Sequence, residues 1–240
     1  MTLKIWFIIF FSLLIQLAQA QSLDECDPSR DQTEYFCISP EMAPNSLVTK
    51  SYFQETPRVM AFLFNSELLA AKVVIDFRDH WESPYFGASV NFDGNHYQLN
   101  ILGGLARIKE MTPDAYAAIV CHELGHILGG APFQDIPDFE WASVEGQADY
   151  FSASVCLPRY FSFLNIPQNE IPSKIEKAGF EFLAAAKPFS SETSEQALIR
   201  FLPYNAKISA TNMYYPEMQC RYENYRNPKQ RPLCWYNPKE

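Results

Sequence analysis

Two imidazoles four residues apart with a carboxylate beside the first, His122-Glu123-Leu124-Gly125-His126, constrain this 240-residue chain more than any other feature. On an α-helix, positions i and i+4 share a face about one turn apart, so His122 and His126 converge on one metal ion if the segment is helical. Glu123 then stands beside that ion. The flanks read as helix: Thr112 is a capping residue, Pro113 suits the first helical position, and Asp114 is an early acid. Ala115 to Leu128 keeps helical periodicity, and Gly129-Gly130 with Pro132 ends it.

Two histidines do not complete a metal site. A third protein ligand is needed, and hydrolytic zinc usually keeps its fourth position open for water. Glu145 lies nineteen residues beyond His126, and Asp149 is four residues further on. Both fall in a predicted second helix that starts near Pro137-Asp138, carries Trp141, Val144, Ala148, Phe151 and Val155, and ends at Pro158. Zinc-bound imidazoles commonly donate their remaining N–H to a carboxylate. Glu145 is therefore expected on the metal, and Asp149 behind one histidine, with His122 the expected partner. His80 and His96 sit by turn signals far from the motif and are not expected to be ligands.

With these residues in hand, the chain resembles the gluzincin metallopeptidases, in which His-Glu-x-x-His is completed by the Glu of a Glu-x-x-x-Asp helix. The resemblance is closest to the HtpX-like and CaaX-prenyl-protease-like branch, as a secreted bacterial-type member. It rests on Gly104-Leu105 leading through Thr112 into the first helix, and on Glu145 to Asp149 with Ala148 between them. A later His-Pro-x-x-x-x-Arg segment is represented by Tyr215-Pro216-Glu217-Met218-Gln219-Cys220-Arg221, with Tyr in place of His. The spacing between the metal motifs is shorter than in many members. The likeness spans roughly residues 97–155 and, less specifically, 214–222. It implies a zincin-like α+β domain with a small sheet, an active-site helix and a facing Glu-x-x-x-Asp helix. It also implies Zn2+ as cofactor and a peptide or protein as substrate. Because the family's His helps bind the reacting carbonyl, Tyr215 and Arg221 are the candidates for stabilising an oxyanion.

Residues 1–20 have the pattern of a secretory signal: Lys4, an apolar stretch from Ile5 to Ile15 interrupted by Ser12, and Ala18-Gln19-Ala20 as a cleavage site. The apolar run is short for a membrane span, and no stable span is expected after cleavage. Residue 21 is Gln, so attachment through a lipidated Cys is not indicated. The remaining chain divides into a lead over 21–50 and a metallopeptidase domain with a Cys-containing tail over 51–240. An exported location, periplasmic or secreted, fits the six cysteines, Cys26, Cys37, Cys121, Cys156, Cys220 and Cys234. Six cysteines allow about fifteen connectivities. Helical geometry favours a Cys121–Cys156 clamp between the ligand-bearing helices, with local Cys26–Cys37 and Cys220–Cys234 pairs at the two ends. Removing residues 1–20 takes away one base and no acid, so a formal charge of −9 becomes −10. That balance disfavours nucleic acid as a partner.

The rest of the pattern is mixed. Residues 51–71 read as helix, Lys72 to Phe77 as a short strand, and Ala88 to Leu102 as a hairpin around Asp93-Gly94. The resemblance also implies that Tyr97 to Leu102, just before the active-site helix, walls the cleft and pairs with an extended substrate. Helical stretches are expected near 175–186 and 194–201. The expected chemistry is hydrolysis of a peptide bond, with zinc acidifying a water and Glu123 as general base. Two other readings stay open: a zinc-stabilised envelope binding or assembly factor that hydrolyses nothing, and a zinc hydrolase of a non-peptide amide.

Overall fold

The computed structural model describes residues 38–40, 47–94, 96–186 and 204–239. The proposed signal, the Cys26–Cys37 pair and the expected helix near 194–201 lie outside them. The architecture is α+β, with helices gathered about one central helix and a three-stranded sheet beside it.

Helix α1 (Lys50–Leu63) opens with Thr49, whose hydroxyl accepts from the Tyr52 N–H. Its continuation is a separate helix, α2 (Asn65–Ala71), because Phe64 leaves helical geometry between them. Lys72 closes α2 in the left-handed conformation, with φ of 56°. That cap delays the first strand: β1 spans Ile75–His80, three residues later than the β-branched run suggests. Strands β2 (Ala88–Phe92) and β3 (Tyr97–Leu102) form the expected hairpin, with Phe92 opposite Tyr97 and Gly94 at φ of 90° in the turn. Strand β1 pairs with β3 in parallel, so the order is β1-β3-β2. The sequence reading placed the cleft wall on β3. Since β3 is hydrogen-bonded on both sides, it has no edge to offer another chain, and β2 is the edge strand on that side.

Short helix α3 (Gly103–Ala106) leads to the central helix α4 (Pro113–Leu128). The Thr112 hydroxyl accepts from the Ala115 N–H at 3.1 Å, and Pro113 occupies the first turn, as the sequence implies. Residues 115–125 of α4 are all buried against α1, α5, α7 and β2. A helix surrounded in this way has no solvent face, which holds the charged motif in a rigid apolar frame.

The second motif helix differs from expectation at both ends. Helix α5 starts at Glu145, not near Pro137, and runs only to Phe151. Residues before it turn back on themselves: Asp138 is left-handed at φ of 70°, and its carbonyl accepts from the Trp141 indole at 2.9 Å. Pro158 does not end the helical path. A π-helical turn over Ser152–Cys156 intervenes, and Pro158 sits in the first turn of α6 (Leu157–Phe163), which continues from it. Cys156 in that turn bonds to Cys121 of α4, and Cys220 bonds to Cys234. These bonds fit an oxidising environment. Among the described residues, no helix is long and apolar enough to cross a membrane.

Helix α7 (Ile171–Ala186) and helix α8 (Met218–Arg226) pack together beside α4 and α5. Residues 218–225 of α8 are buried although the segment is rich in polar side chains. A small second core of Val144, Cys220, Cys234 and Trp235 fastens the C-terminal segment to α5. A Cβ on Gly146 would lie 2.4 Å from Trp235 Cδ2, and Trp235 is fully buried. Gly146→Ala is therefore expected to destabilise the oxidised protein by about 1–3 kcal/mol, the usual cost of overpacking. Chemical unfolding that leaves the midpoint unchanged would show that this contact relaxes freely.

Candidate metal centre

Helix α4 presents His122 and His126 on one face, and the first turn of α5 places Glu145 against them. One ligand atom from each lies within 4.8 Å of the others. The imidazole orientations follow from what lies behind each ring. His122 Nδ1 is 2.8 Å from Asp149 Oδ1, and His126 Nδ1 is 2.8 Å from the Ser143 carbonyl oxygen. A carbonyl only accepts, and an ionised carboxylate only accepts, so both Nδ1 atoms carry hydrogen. In the neutral rings each Nε2 is then a lone pair, and both Nε2 atoms face Glu145: 3.2 Å from His122 to Oε2 and 3.7 Å from His126 to Oε1.

Lone pairs and carboxylate oxygens converging without an intervening donor are electrostatically unsatisfied. Glu145 Oε2 is buried and, while the rings are neutral, has no donor, since the His122 Nε2 that lies 3.2 Å away then carries only a lone pair. Such an orphaned acceptor costs stability unless a cation or proton supplies the missing positive charge. Two imidazoles and one carboxylate suit a divalent metal, and three protein ligands leave a further position for a small molecule. The residues present thus fit a metal ion.

The same groups set one another's protonation. Burial alone would lower the His122 imidazole, but the charges and hydrogen bonds of Asp149 and Glu145 reverse this and push it up to about 10. Burial would raise the Glu145 carboxyl, and the His122 hydrogen bond with the two imidazole charges brings it down to about 2. Burial raises the Glu123 carboxyl above its ordinary value against the pull of both histidines, the direction that suits a base working near neutral pH.

Arg221 reaches this centre from α8. Its Nε donates to Asp149 Oδ2 at 2.7 Å and its Nη2 to Oδ1 at 3.0 Å, with both side chains buried. Burial would raise the Asp149 carboxyl, but Arg221 and His122 keep it below its ordinary value and therefore ionised. Arg221 thus stands behind Asp149, which stands behind His122. Tyr225, one helical turn from Arg221, places its hydroxyl 3.4 Å from the same carboxylate. Tyr215 is 70 % exposed, stacks its ring 5.6 Å from the Arg221 guanidinium, and has its phenol pushed up by the Glu145 charge.

Two cavities open on either side of this cluster. One, of about 470 Å³, is lined by His122 and Glu123 with Phe86, Ile119 and Phe182 among its apolar walls. The other, of about 330 Å³, is lined by His126, Glu123 and Glu145 with Ile136, Phe139 and Trp141. Glu123 and Tyr215 border both.

The structure brings His122, Glu123, His126, Glu145, Asp149, Tyr215 and Arg221 to one place. His80 and His96 are apart from it, on β1 and in the hairpin turn. Sequence reasoning missed Ser143, which acts through its backbone carbonyl and so leaves no side-chain signal. It also missed Tyr225, although the Arg221–Tyr225 spacing of four would have exposed it had the tail been read as a helix. No family model, curated protein or solved structure matches the chain.

Proposed function

We propose that this protein is an exported zinc-dependent metalloendopeptidase. The observation that carries the reading is Glu123, a buried carboxylate on the wall shared by two cavities, next to a three-ligand cluster whose Glu145 oxygen lacks a partner. A purely structural metal site has no use for a base facing open space. The donor set supports zinc, which when bound supplies Lewis acidity that acidifies water and polarises a carbonyl. The motif pattern that resembles gluzincins, together with the signal-like residues 1–20, supports export and peptide hydrolysis.

The chain's own groups divide the work. Glu123 takes a proton from the attacking water and delivers it to the departing amine nitrogen, so no covalent enzyme intermediate is required. The Tyr215 hydroxyl is the donor available to a developing oxyanion. Arg221 is a positioning residue: it fixes Asp149, which fixes the tautomer and angle of His122. Among the described residues no strand pairs with the outer edge of β2, which lies beside both cavities and gives an extended peptide a row of backbone partners.

Elemental analysis of oxidised mature protein, paired with cleavage of an unbiased peptide library, tests the reading. One equivalent of zinc and cleavage lost on chelation are expected; zinc-replete protein that cleaves no peptide would overturn it. A second expectation concerns protons. His122 is held near 10 without metal, so at pH 8 the ring carries a proton that zinc must displace. Calorimetric titration in buffers of different ionisation enthalpy is expected to show release of about one proton or more. No release would mean that His122 is already neutral. By the same linkage, its pairing stabilises the metal-free fold fully below about pH 6.5, the ordinary imidazole value. That contribution is lost as pH rises through about 10.

A further inference from the structure

The segment between the two metal motifs, residues 131–144, is built as a wall whose apolar side chains face open space. Its base is closed by a short ladder, with Gln134 N–H donating to the Ala142 carbonyl at 2.8 Å and Val144 N–H to the Pro132 carbonyl at 3.0 Å. Its inner turn is closed by Phe139 N–H to the Ile136 carbonyl and by the Trp141 indole to the Asp138 carbonyl, both 2.9 Å. Trp141 is braced against the sheet, 5.0 Å from the Tyr97 ring and 5.9 Å from Phe92. Ile136 and Phe139 nevertheless remain 40 % and 45 % exposed, in the cavity that reaches His126 and Glu145. Tyr214 and Tyr215, 61 % and 70 % exposed, line the same cavity. A preorganised loop that leaves large side chains half exposed beside a reactive centre loses free energy in water and regains it when an apolar group enters.

Strand direction says which part of a substrate enters. Phe86 lines only the larger cavity, Ala88 lines both, and Ser89 and Val90 line only the smaller one. Strand β2 therefore runs from the larger cavity toward the smaller. A peptide on its free edge in the antiparallel sense, the more stable pairing, runs the opposite way. Its residues N-terminal to the scissile bond then lie over the smaller cavity. Charge narrows the choice further: Asp135, Asp138 and Glu140 are exposed on the loop, which carries no Lys or Arg and so disfavours acidic neighbours.

We propose that the 131–144 loop is a specificity wall that selects a large apolar or aromatic side chain immediately N-terminal to the scissile bond, in a segment free of acidic residues. The proposal rests on the peptidase reading given above. Ile136 and Phe139 are the specificity-determining side chains, and Trp141 is the brace that holds them.

Zinc-loaded wild-type protein and the Ile136→Ser/Phe139→Ser double variant are compared on a peptide library, and Glu123→Gln in both backgrounds is assayed for binding of the same peptides by calorimetry. Both substituted side chains are partly exposed, so an unchanged melting temperature is expected, and Ile136→Leu/Phe139→Leu serves as the conservative control. Wild type is expected to favour Phe or Leu over Gly at that position by about tenfold or more in kcat/KM, the usual yield of an apolar pocket. The serine variant should fall to near parity and the leucine variant should retain the preference. An unchanged preference in the serine variant, or one confined to the C-terminal side, overturns the proposal while leaving the peptidase reading intact. Loop-dependent binding without any cleavage by wild type upholds the subsite and removes the peptidase reading, and neither binding nor cleavage removes both. A concentration-dependent dimer abolished by the serine variant, with peptide preference unmoved, overturns the proposal in favour of a second copy on this face.

Discussion

Glu123→Gln is expected to bind one equivalent of zinc as the wild type does and to lose about a thousandfold or more in turnover, within the range for removing a general base. The substitution conserves shape and polarity, so α4 keeps its packing and the ligand atoms of His122, His126 and Glu145 are untouched. What disappears is a carboxylate whose burial raises its affinity for a proton and whose position borders both cavities. A carboxamide cannot take that proton. Metal content by elemental analysis and kcat on the best library peptide check the two halves separately, and undiminished hydrolysis by this variant would sink the mechanism.

The second large effect is expected from Arg221→Met, which should cost about 3–5 kcal/mol of stability and weaken zinc binding by about 10–100-fold. Asp149 is fully buried, and without Arg221 its charge faces only the His122 N–H and the more distant Tyr225 hydroxyl. Either the carboxylate stays ionised at high cost or it takes a proton and weakens its hold on His122. Lysine at 221 should recover part of the stability but not the two-nitrogen geometry. An Arg221→Met/Asp149→Leu pair should recover more stability, since removing both charges avoids an uncompensated one, while zinc affinity stays low. Urea unfolding with metal titration separates these outcomes; full zinc affinity in Arg221→Met would show that His122 needs no support from behind. Asp149 is held below its ordinary carboxyl value in the fold, so its contribution is complete above about pH 4 and is lost as pH falls below it.

The parts of the fold legible in the sequence were those set by local chemistry. The Thr112-Pro113-Asp114 start and Gly129-Gly130 stop bracket α4 because caps and breakers act within one turn. The Asp93-Gly94 signal located the hairpin for the same reason. Less legible was the segment from 137 to 158. Apolar spacing there suits a helix, but Asp138 takes a left-handed turn and the loop closes on its own backbone, so α5 begins only at Glu145. The π-helical turn carrying Cys156 left no propensity signal, because it answers to packing and to the bond with Cys121. The α8 helix was hidden by composition: its polar residues are buried because they bond across to α5 and α7, which no local window reveals.

The sequence by itself determined the donor types and their spacing: imidazoles at i and i+4, a carboxylate beside the first, and a Glu and Asp one turn apart. These relations hold because helical periodicity converts spacing into a common face. Only the tertiary structure decided that the Ser143 carbonyl stands behind His126 and that Arg221 stands behind the Asp149 expected at His122. It alone also decided that, among the described residues, β2 and not β3 is the edge strand, and that Ile136, Phe139 and Trp141 of the 131–144 loop line the cavity that reaches His126 and Glu145. Those outcomes depend on contacts between residues tens of positions apart, whose energies are set by burial and mutual orientation and leave no mark on any short stretch of chain.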